Sequence, residues 1–168
     1  YELILKGDLK GKYYTYLIEG KFEITDIYSI ASSINSLRSA IINLEDTNPL
    51  GWDKDYITDK DKCAPIIYEV HIKDFTAHKN SGIRHRGKYL GFVEEDTRYN
   101  GISTGLNHLE DLGITHVHLM PVFDFLTVRE DTEFFYKNHN YNWGYDPELY
   151  NVPEGSYSLE PNNPVTRI

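Results

Sequence analysis

Cysteine is almost absent from this sequence, in which Cys63 is the single example among 168 residues. One cysteine cannot form a disulfide within the chain, so no disulfide framework stabilises the fold. This composition fits the cytosol slightly better than secretion but does not exclude secretion. The cellular location is therefore left unknown.

Long apolar runs are also missing. No stretch is long enough to cross a bilayer, and Tyr1 opens a strand-like pattern where a signal segment would show basic and then apolar residues. Because no initiator Met precedes Tyr1, we expect both ends to have been cut from a longer protein.

Basic residues are outnumbered, with 17 Lys and Arg against 26 Asp and Glu and a formal net charge of −9. Nucleic acid backbones and anionic membranes attract Lys and Arg, so neither is an expected partner. Neutral partners remain open. The 14 tyrosines supply flat apolar rings of the kind that can contact sugars.

The first part of the chain is predicted to be β-structure. Tyr13 to Glu19 and Phe22 to Tyr28 are rich in aromatic and β-branched residues, and Glu19 to Lys21 supplies a short turn between them. This pattern predicts a hairpin. Ser29 to Asn43 is predicted to be a loop with a late strand.

A domain boundary is predicted between Asp53 and Lys62, where the sequence DKDYITDKDK is dense in charge and poor in apolar residues. We therefore expect two parts, residues 1–62 and residues 63–168.

A βαβ unit is predicted after this boundary. Ile66 to Ile72 and Ile114 to Leu119 are predicted to be parallel strands. Between them, Ser103 or Thr104 is placed to cap a helix that Gly113 ends. The apolar positions of that helix are Ile102, Leu106, Leu109 and Leu112.

The sheet of this unit is expected to be unfinished. After Leu119 the sequence predicts loops and no third βαβ unit, whereas a complete barrel of eight such units needs about 250 residues. The second part is therefore too short for a closed barrel.

The heptapeptide YNWGYDP at Tyr141 to Pro147 resembles the signature of type I pullulanases, members of the α-amylase superfamily of glycoside hydrolases. Further matches to this family follow the same order along the chain: TNPLGW at Thr47 to Trp52, YEVHIKDFT at Tyr68 to Thr76, GKYLGF at Gly87 to Phe92 and HLMPVFDF at His118 to Phe125.

The resemblance implies the end of a β-sandwich domain of carbohydrate-binding type, followed by the start of a β/α barrel of the TIM type that is incomplete here. It implies a retaining hydrolase of α-1,6-glucosidic links in pullulan, branched dextrins and related α-glucans. The family's catalytic carboxylates lie on later barrel strands, so no catalytic residue, metal ligand or cofactor is expected in this chain. A calcium requirement of the complete enzyme is left open. The expected partners are the α-glucan and the remainder of the barrel.

The aromatic residues of this heptapeptide are the candidate binding site. Tyr141, Trp143 and Tyr145 alternate with polar residues, which places flat rings beside hydrogen-bonding groups. Composition alone favours aromatics that anchor the loop. The resemblance implies that Tyr145 stacks on the glucose ring at the cleavage subsite, and Trp143 and Asp146 beside it are predicted to bind substrate as well.

Two carboxylates and three histidines offer rival chemistry. A retaining glycosidase needs two carboxyl groups about 5 Å apart, and Asp74 and Asp124 each follow a predicted strand. We favour loop caps or pairing with basic neighbours such as Lys73 for both. His71, His116 and His118 suggest a metal-dependent barrel hydrolase, but we favour a structural polar network that joins Glu69, His71 and Lys73 on one strand face with His118 nearby.

Three further features have alternative interpretations. The basic loop of Arg84, His85, Arg86 and Lys88 is interpreted as solvated surface in preference to a polyanion site. A noncatalytic glucan-binding module remains the main alternative function. A related isoamylase or glycogen branching enzyme is the third.

Overall fold

The computed structural model of the chain describes residues 2–56, 64–137 and 139–168. The strands are Tyr13–Tyr14 (β1), Tyr16–Ile18 (β2), Phe22–Ile24 (β3), Ser39–Ala40 (β4), Ile67–Val70 (β5), Arg98–Tyr99 (β6), Ile102–Ser103 (β7), His116–Leu119 (β8), Phe123–Phe125 (β9) and Pro147–Pro153 (β10). The α-helices are Ile72–Thr76 (α1), Tyr89–Phe92 (α2) and Gly105–Asp111 (α3). None of the described helices is long and apolar enough to cross a membrane.

The predicted N-terminal hairpin is confirmed over a shorter length. β2 and β3 are antiparallel, with Tyr16 opposite Ile24. Glu19 and Gly20 have φ values of 52° and 66°, the left-handed backbone that suits a tight hairpin turn. The turn is therefore formed by the predicted residues.

The residues before this hairpin pair elsewhere. β1 is antiparallel to β4, with Tyr13 opposite Ala40. β4 is the late strand predicted within Ser29 to Asn43, and the remainder of that segment is loop with one 3-10 turn at Ile34–Ser36.

The predicted boundary at Asp53 to Lys62 is only partly described. Its first residues continue the 3-10 turn Trp52–Lys54, whereas residues 57–63, which include Cys63, lie outside the described residues. The division into residues 1–62 and 63–168 therefore stays a prediction.

The predicted βαβ unit is confirmed. β5 and β8 are parallel neighbours, with Tyr68 opposite Val117 and Val70 opposite Leu119. α3 lies between them along the chain. Local sequence pattern was sufficient here because apolar residues recur along both strands, and Gly113 and Pro121 bound the second.

The helix of this unit is shorter than its apolar spacing predicts. Ile102 belongs to β7 and is 70% exposed. Thr104 occupies the N-cap position, but its hydroxyl donates to the carbonyl oxygen of Ser81 and does not cap the helix. Gly113 ends the helix as predicted, with φ of 73°.

The first strand of the unit also ends early. The prediction of a strand as far as Ile72 is wrong, because His71 takes the N-cap position of α1 and its Nδ1 accepts the N–H of Asp74 at 3.2 Å. A side chain that satisfies a free N–H of the first helical turn favours the helix over a longer strand.

The segment between α1 and α3 contains α2 and the antiparallel β6–β7 hairpin. The expectation of loops alone after Leu119 is wrong. The residues after Leu119 form antiparallel β9 and β10, with irregular register, instead of loops alone. The described residues therefore form small sheets of two strands and no closed barrel.

One cluster of buried apolar side chains joins β5, β9 and the three helices with residues of the connecting segments. Its members are Val70, Ile72, Phe92, Leu109, Phe125, Val128, Phe135 and Tyr157.

A buried arginine joins distant parts of the chain to this core. Arg167 is 2% exposed and donates to Glu130 at 2.7 and 3.0 Å and to Asp124 at 2.9 Å. It also donates to the carbonyl oxygens of Ser33 at 3.1 Å and Pro153 at 2.9 Å. One guanidinium thus connects the N-terminal part of the chain with β9 and β10.

The same carboxylates hold the 3-10 turn at Ile34–Ser36. The Ser36 hydroxyl donates to Asp124, and the Asn35 backbone N–H donates to Glu130 at 2.5 Å. Asn35 and Ser36 have φ values of 53° and 52°, an unfavourable backbone for residues with side chains. The buried acceptors compensate for this cost.

The charge balance of the cluster depends on pH. Burial, opposed by Arg167 and reinforced by the charge of Glu154, raises the pKa of Glu130 to about 8. Burial also raises the pKa of Glu154 to about 7. The pKa values of both carboxyls are higher in the folded state than their ordinary values, so folding takes up protons. The contribution of this proton uptake to the free energy of unfolding is complete in acid, and it is lost as the pH rises through about 7 to 8.

We expect Arg167→Met to lower the free energy of unfolding by about 3–5 kcal/mol, because it removes the cation and leaves buried carboxylates without a counter-charge. The loss should be smaller near pH 5 than near pH 8.5. At about pH 5 Glu130 and Glu154 are protonated and need no counter-charge, whereas at about pH 8.5 they are ionised. Urea unfolding at the two pH values measures both effects.

Arg129→Met is the matched control. Arg129 pairs with Asp131 at 2.8 Å, but its side chain is 58% exposed, so its loss should cost less than about 1 kcal/mol. Equal losses in the two variants, or a loss for Arg167→Met that is independent of pH, would contradict the assigned role of the buried guanidinium.

Candidate functional site

The predicted binding residues line one depression. Residues 141–146, here called the aromatic loop, surround a depression of about 450 Å³ that is lined by Tyr141, Asn142, Trp143, Tyr145 and Asp146. The structure therefore brings together the three predicted substrate-binding residues with two of their polar and aromatic neighbours.

The rings of the aromatic loop are open to solvent. Trp143 is 63% exposed and Tyr145 is 65% exposed, whereas Tyr141 is 38% exposed. Within the described residues Trp143 and Tyr145 do not bury their rings, so neither ring anchors the aromatic loop to this part of the protein. Exposed rings beside amide and carboxylate groups form a surface on which a neutral polyhydroxyl molecule can stack.

Asn142 gives the aromatic loop its shape. Its side-chain oxygen accepts the N–H of Gly144 at 2.7 Å, and its side-chain nitrogen donates to the Thr127 hydroxyl at 2.7 Å and to the Asp146 carboxylate. An Asn side chain that accepts a backbone N–H two residues later stabilises a turn.

Asp146 fixes the other end of the loop. Its carboxylate accepts from Asn142 and, at 3.1 Å, from the Thr127 hydroxyl, and its carbonyl oxygen accepts the N–H of Leu126 at 3.1 Å. The half-buried side chain is thus engaged in the loop itself. Substrate binding by Asp146, as by Trp143 and Tyr145, stays a prediction.

Gly144 allows the loop to approach the chain beneath it. Its φ is 98°, and a Cβ atom there would collide with the carbonyl oxygen of Pro121 and lie 3.0 Å from the Phe125 ring. A residue with a side chain would meet both the unfavourable backbone and the collision.

Asp74 supports the aromatic loop from below. It accepts the Tyr141 hydroxyl at 2.5 Å. Partial burial and the Asp74 carboxylate raise the pKa of Tyr141 to about 12, so the hydroxyl is a hydrogen-bond donor at neutral pH. The interpretation of Asp74 as a structural loop residue suits this contact, although its partners are Tyr141 and His71 and not Lys73.

Asp124 is removed from the depression. It is 1% exposed and pairs with Arg167, so the expected pairing with a basic residue is confirmed with a distant partner. Asp74 and Asp124 therefore do not form an exposed carboxylate pair.

The three predicted histidines do not converge. His118 pairs with Glu69 at 3.3 Å, as the structural interpretation predicted, but both side chains are more than half exposed. His71 faces the aromatic loop and contacts Asn142. Because α1 begins at this point, the side chains no longer alternate as in a strand, and His71 does not lie on the same face as Glu69. His116 contacts the Thr115 hydroxyl.

Lys73 was expected in the same network as Glu69 and instead packs under the loop. Its ammonium donates to the carbonyl oxygens of Phe135 and Asn140, the latter at 3.1 Å, and lies 4.3 Å from the centre of the Phe135 ring. Burial lowers the pKa of Lys73.

The basic loop is less exposed than predicted. Arg84 is exposed, but His85 pairs with Glu94 at 2.8 Å. The half-buried Lys88 lies 3.8 Å from the centre of the Phe135 ring. Burial, reinforced by the charge of Lys73, lowers the pKa of Lys88 to about 8. Arg86, also half-buried, accepts the Tyr136 hydroxyl at its carbonyl oxygen.

One group of carboxylates has the spacing of metal ligands. Oxygen atoms of Asp124, Glu130 and Glu154 lie within 4.8 Å of one another. The Arg167 guanidinium binds two of the three, so a cationic side chain already supplies the charge that a metal would bring. We assign this group a structural role, and the expectation of no metal ligands stays a prediction.

Comparison with known proteins finds pullulanases. The structure aligns with a crystal structure of pullulanase from Paenibacillus barengoltzii in complex with maltohexaose and α-cyclodextrin, with a TM-score of 0.79 and 44% identity over 92% of this chain and 25% of that one. The apo form of that pullulanase gives a TM-score of 0.84 and 42% identity over 98% of this chain and 26% of that one.

The sequence comparison agrees. The chain is 36% identical to the pullulanase of Bacillus subtilis (strain 168) over 171 residues, which cover 99% of this chain and 23% of that protein. No protein-family model matches the chain. The chain is similar to pullulanases over nearly its whole length, and it spans about a quarter of the length of these relatives.

We expect Gly144→Ala to displace the aromatic loop and to destabilise the chain by more than the cost of about 1–2 kcal/mol for a left-handed alanine alone. In a Trp52→Phe background Trp143 is the single tryptophan, so its fluorescence reports the loop directly. Urea unfolding measures the stability.

Gly101→Ala is the matched control, because Gly101 has φ of 83° but open space around its Cβ position. It should show the backbone cost without a change in Trp143 emission. If the two variants behaved alike, the close approach at Pro121 would not matter for the loop.

Proposed function

We propose that this chain is part of a retaining glycoside hydrolase that cleaves α-1,6-glucosidic links in pullulan, branched dextrins and related α-glucans. The observation that carries the proposal is the exposed aromatic depression built by YNWGYDP in a chain similar to pullulanases. A relative aligned over 92% of this chain was solved with maltohexaose, which supports an α-glucan as the ligand.

The proposed architecture is a β-sandwich remnant in residues 1–62 and the first βαβ portion of a TIM-type barrel in residues 63–168. The parallel pairing of β5 and β8 supports the barrel. Ile67, Val117 and Leu119 on these strands are 64%, 40% and 37% exposed. Parallel sheets normally bury both faces, so further strands and helices are proposed to cover these side chains in the complete enzyme.

Within this enzyme the depression is proposed to hold the substrate and not to react with it. Tyr145 would present its ring to the glucose unit at the scissile bond, where the π face attracts the positive charge that develops in an oxocarbenium-like transition state. Trp143 would add a second apolar face. Asp146 would act mainly by fixing the loop, since its carboxylate is already bound to Asn142 and Thr127.

No catalytic residue is proposed within the chain, and no cofactor. Hydrolysis with retention requires a nucleophile and an acid/base carboxyl group. Near the depression, Asp74 and Asp146 are both bound to groups of the loop. The 168-residue chain should therefore bind an α-glucan without cleaving it.

This expectation can be tested with two measurements on the purified chain. Calorimetric titration with maltotetraose should give saturable binding, and incubation with pullulan should release no maltotriose. Turnover by the chain would show that catalytic groups lie within it.

In the full-length protein, pullulan should yield maltotriose. A full-length protein that binds maltotetraose but cleaves no α-glucan would favour the noncatalytic binding module, and cleavage of branched glycogen but not pullulan would favour an isoamylase-type enzyme.

Substitutions at Tyr145 test the stacking role. In the full-length protein, Tyr145→Ala should lower turnover on pullulan by an amount equivalent to about 1–3 kcal/mol of transition-state stabilisation, because the ring is lost. Tyr145→Phe should retain most of the activity, because the ring remains.

Tyr150→Ala is the control, since Tyr150 is 64% exposed but packs beside Phe123 and does not line the depression. It should leave turnover close to that of the wild type. If Tyr145→Phe were as impaired as Tyr145→Ala in folded proteins, the hydroxyl would be the important group and stacking would be rejected.

A further inference from the structure

We propose that His71 is a positioning residue that sets the orientation of the aromatic loop and thereby the affinity of the site for α-glucans. The proposal rests on the proposed function for its ligand. It rests on the structure for its geometry, which places a buried imidazole between the first turn of α1 and the backbone of the loop.

The ring of His71 is fixed by the backbone of α1. His71 is 6% exposed, and its Nδ1 accepts the N–H of Asp74 at 3.2 Å. An Nδ1 atom that accepts this bond carries no proton, so the neutral ring carries its proton on Nε2.

This tautomer matches the partner on the other side. Nε2 lies 3.0 Å from the carbonyl oxygen of Asn142 and 2.9 Å from the Tyr157 hydroxyl. A carbonyl oxygen has no hydrogen to give, so the Nε2–H must donate to it. The same ring therefore satisfies a helix N–H and a loop carbonyl, and no other arrangement of its proton would satisfy both.

A second contact reinforces the first. The rings of His71 and Tyr141 lie 5.3 Å apart, and the Tyr141 hydroxyl donates to the carboxylate of Asp74, the residue whose N–H binds His71. Two successive loop residues, Tyr141 and Asn142, are thus tied to α1 through His71 and Asp74.

Tyr157 links this arrangement to the core. It is 2% exposed, and its ring packs edge to face against Tyr89 at 5.4 Å, Phe125 at 5.7 Å and His71 at 5.9 Å. His71 therefore connects the packed core, through Tyr157, to the aromatic loop, through Asn142.

The exposed rings depend on these anchors. Trp143 and Tyr145 expose more than 60% of their surface, so their own packing does little to orient them. Their backbone is held at the Asn142 carbonyl on one side and at the Asp146 carbonyl, which accepts the N–H of Leu126, on the other. Loss of the His71 bond should loosen the Asn142 end, where the side-chain bonds of Asn142 and the Tyr141–Asp74 bond remain.

Two substitutions separate the functions of the ring nitrogens. In His71→Asn, the side-chain oxygen can replace Nδ1 as the helix cap, but nothing replaces the Nε2–H donor. In His71→Gln, the longer amide can return a donor to the Asn142 carbonyl. The first variant should lose the loop anchor with the helix start retained, and the second should recover part of the anchor.

The experiment compares the full-length wild-type protein with both variants by hydrogen–deuterium exchange of residues 141–146 and by steady-state kinetics on pullulan. His71→Asn should speed loop exchange and raise KM by about tenfold, the equivalent of one net hydrogen bond, with a smaller change in kcat. His71→Gln should fall between His71→Asn and the wild type. Exchange in α3 should not change in any of them, which shows that the fold is retained.

Three results decide the matter. Loop exchange and KM for His71→Asn equal to those of the wild type would overturn the proposal. Equal impairment of His71→Gln and His71→Asn would also overturn it, because the donor would then have no specific role. If the wild-type protein had no affinity for maltotetraose and no activity on pullulan, the proposed function would fail, and the loop exchange of the two variants would still decide whether His71 positions the loop.

Should His71→Asn fail to fold, Tyr157→Phe supplies the second test. It retains the packed ring and removes the hydroxyl next to Nε2. Because the Asn142 bond remains, loop exchange should stay within about threefold of the wild type, and a tenfold or greater increase would assign the anchor to Tyr157 instead of His71.

Discussion

The buried ion cluster around Arg167 is the interaction on which the rest of the structure depends. Its guanidinium connects Glu130 and Asp124 with the backbone at Ser33 and Pro153. Breaking a buried charge network by removing one member is costly, because the remaining charges stay out of water. The cluster thus fixes the strand pair from which the aromatic loop extends, and it joins that pair to residues near the start of the chain.

The aromatic loop is held in place at both of its ends. Its far end is held by the bond between Thr127, two residues after β9, and Asp146, directly before β10. α1 holds its near end through His71 and Asp74. The polar side chains around the depression therefore form hydrogen bonds that set the shape of the loop. The rings of Trp143 and Tyr145 are exposed and are proposed to contact a ligand. This division suits a neutral glucan, for which stacking on a pre-ordered surface avoids the cost of ordering the site.

The sequence was most informative where the signal is local. Residue type and spacing predict three features: the turn at Glu19 and Gly20, the end of α3 at Gly113, and the parallel strands β5 and β8. The grouping of Tyr145 with Trp143 follows from one heptapeptide. The Arg167 cluster could not be predicted, because its partners lie up to 134 positions away and no periodicity marks them. His71 was misplaced for a different reason: the apolar alternation of β5 continues through it, and only the folded chain shows that its ring caps a helix.

We propose that the exposed rings of the aromatic loop form the glucose-binding surface of a pullulanase-type enzyme. The most direct measurement is a crystal structure of the full-length protein with maltotetraose. We expect a glucose ring stacked on the face of Tyr145, with Trp143 beside it and the loop unmoved. Maltotetraose bound only elsewhere, with Tyr145 still facing solvent, would contradict it.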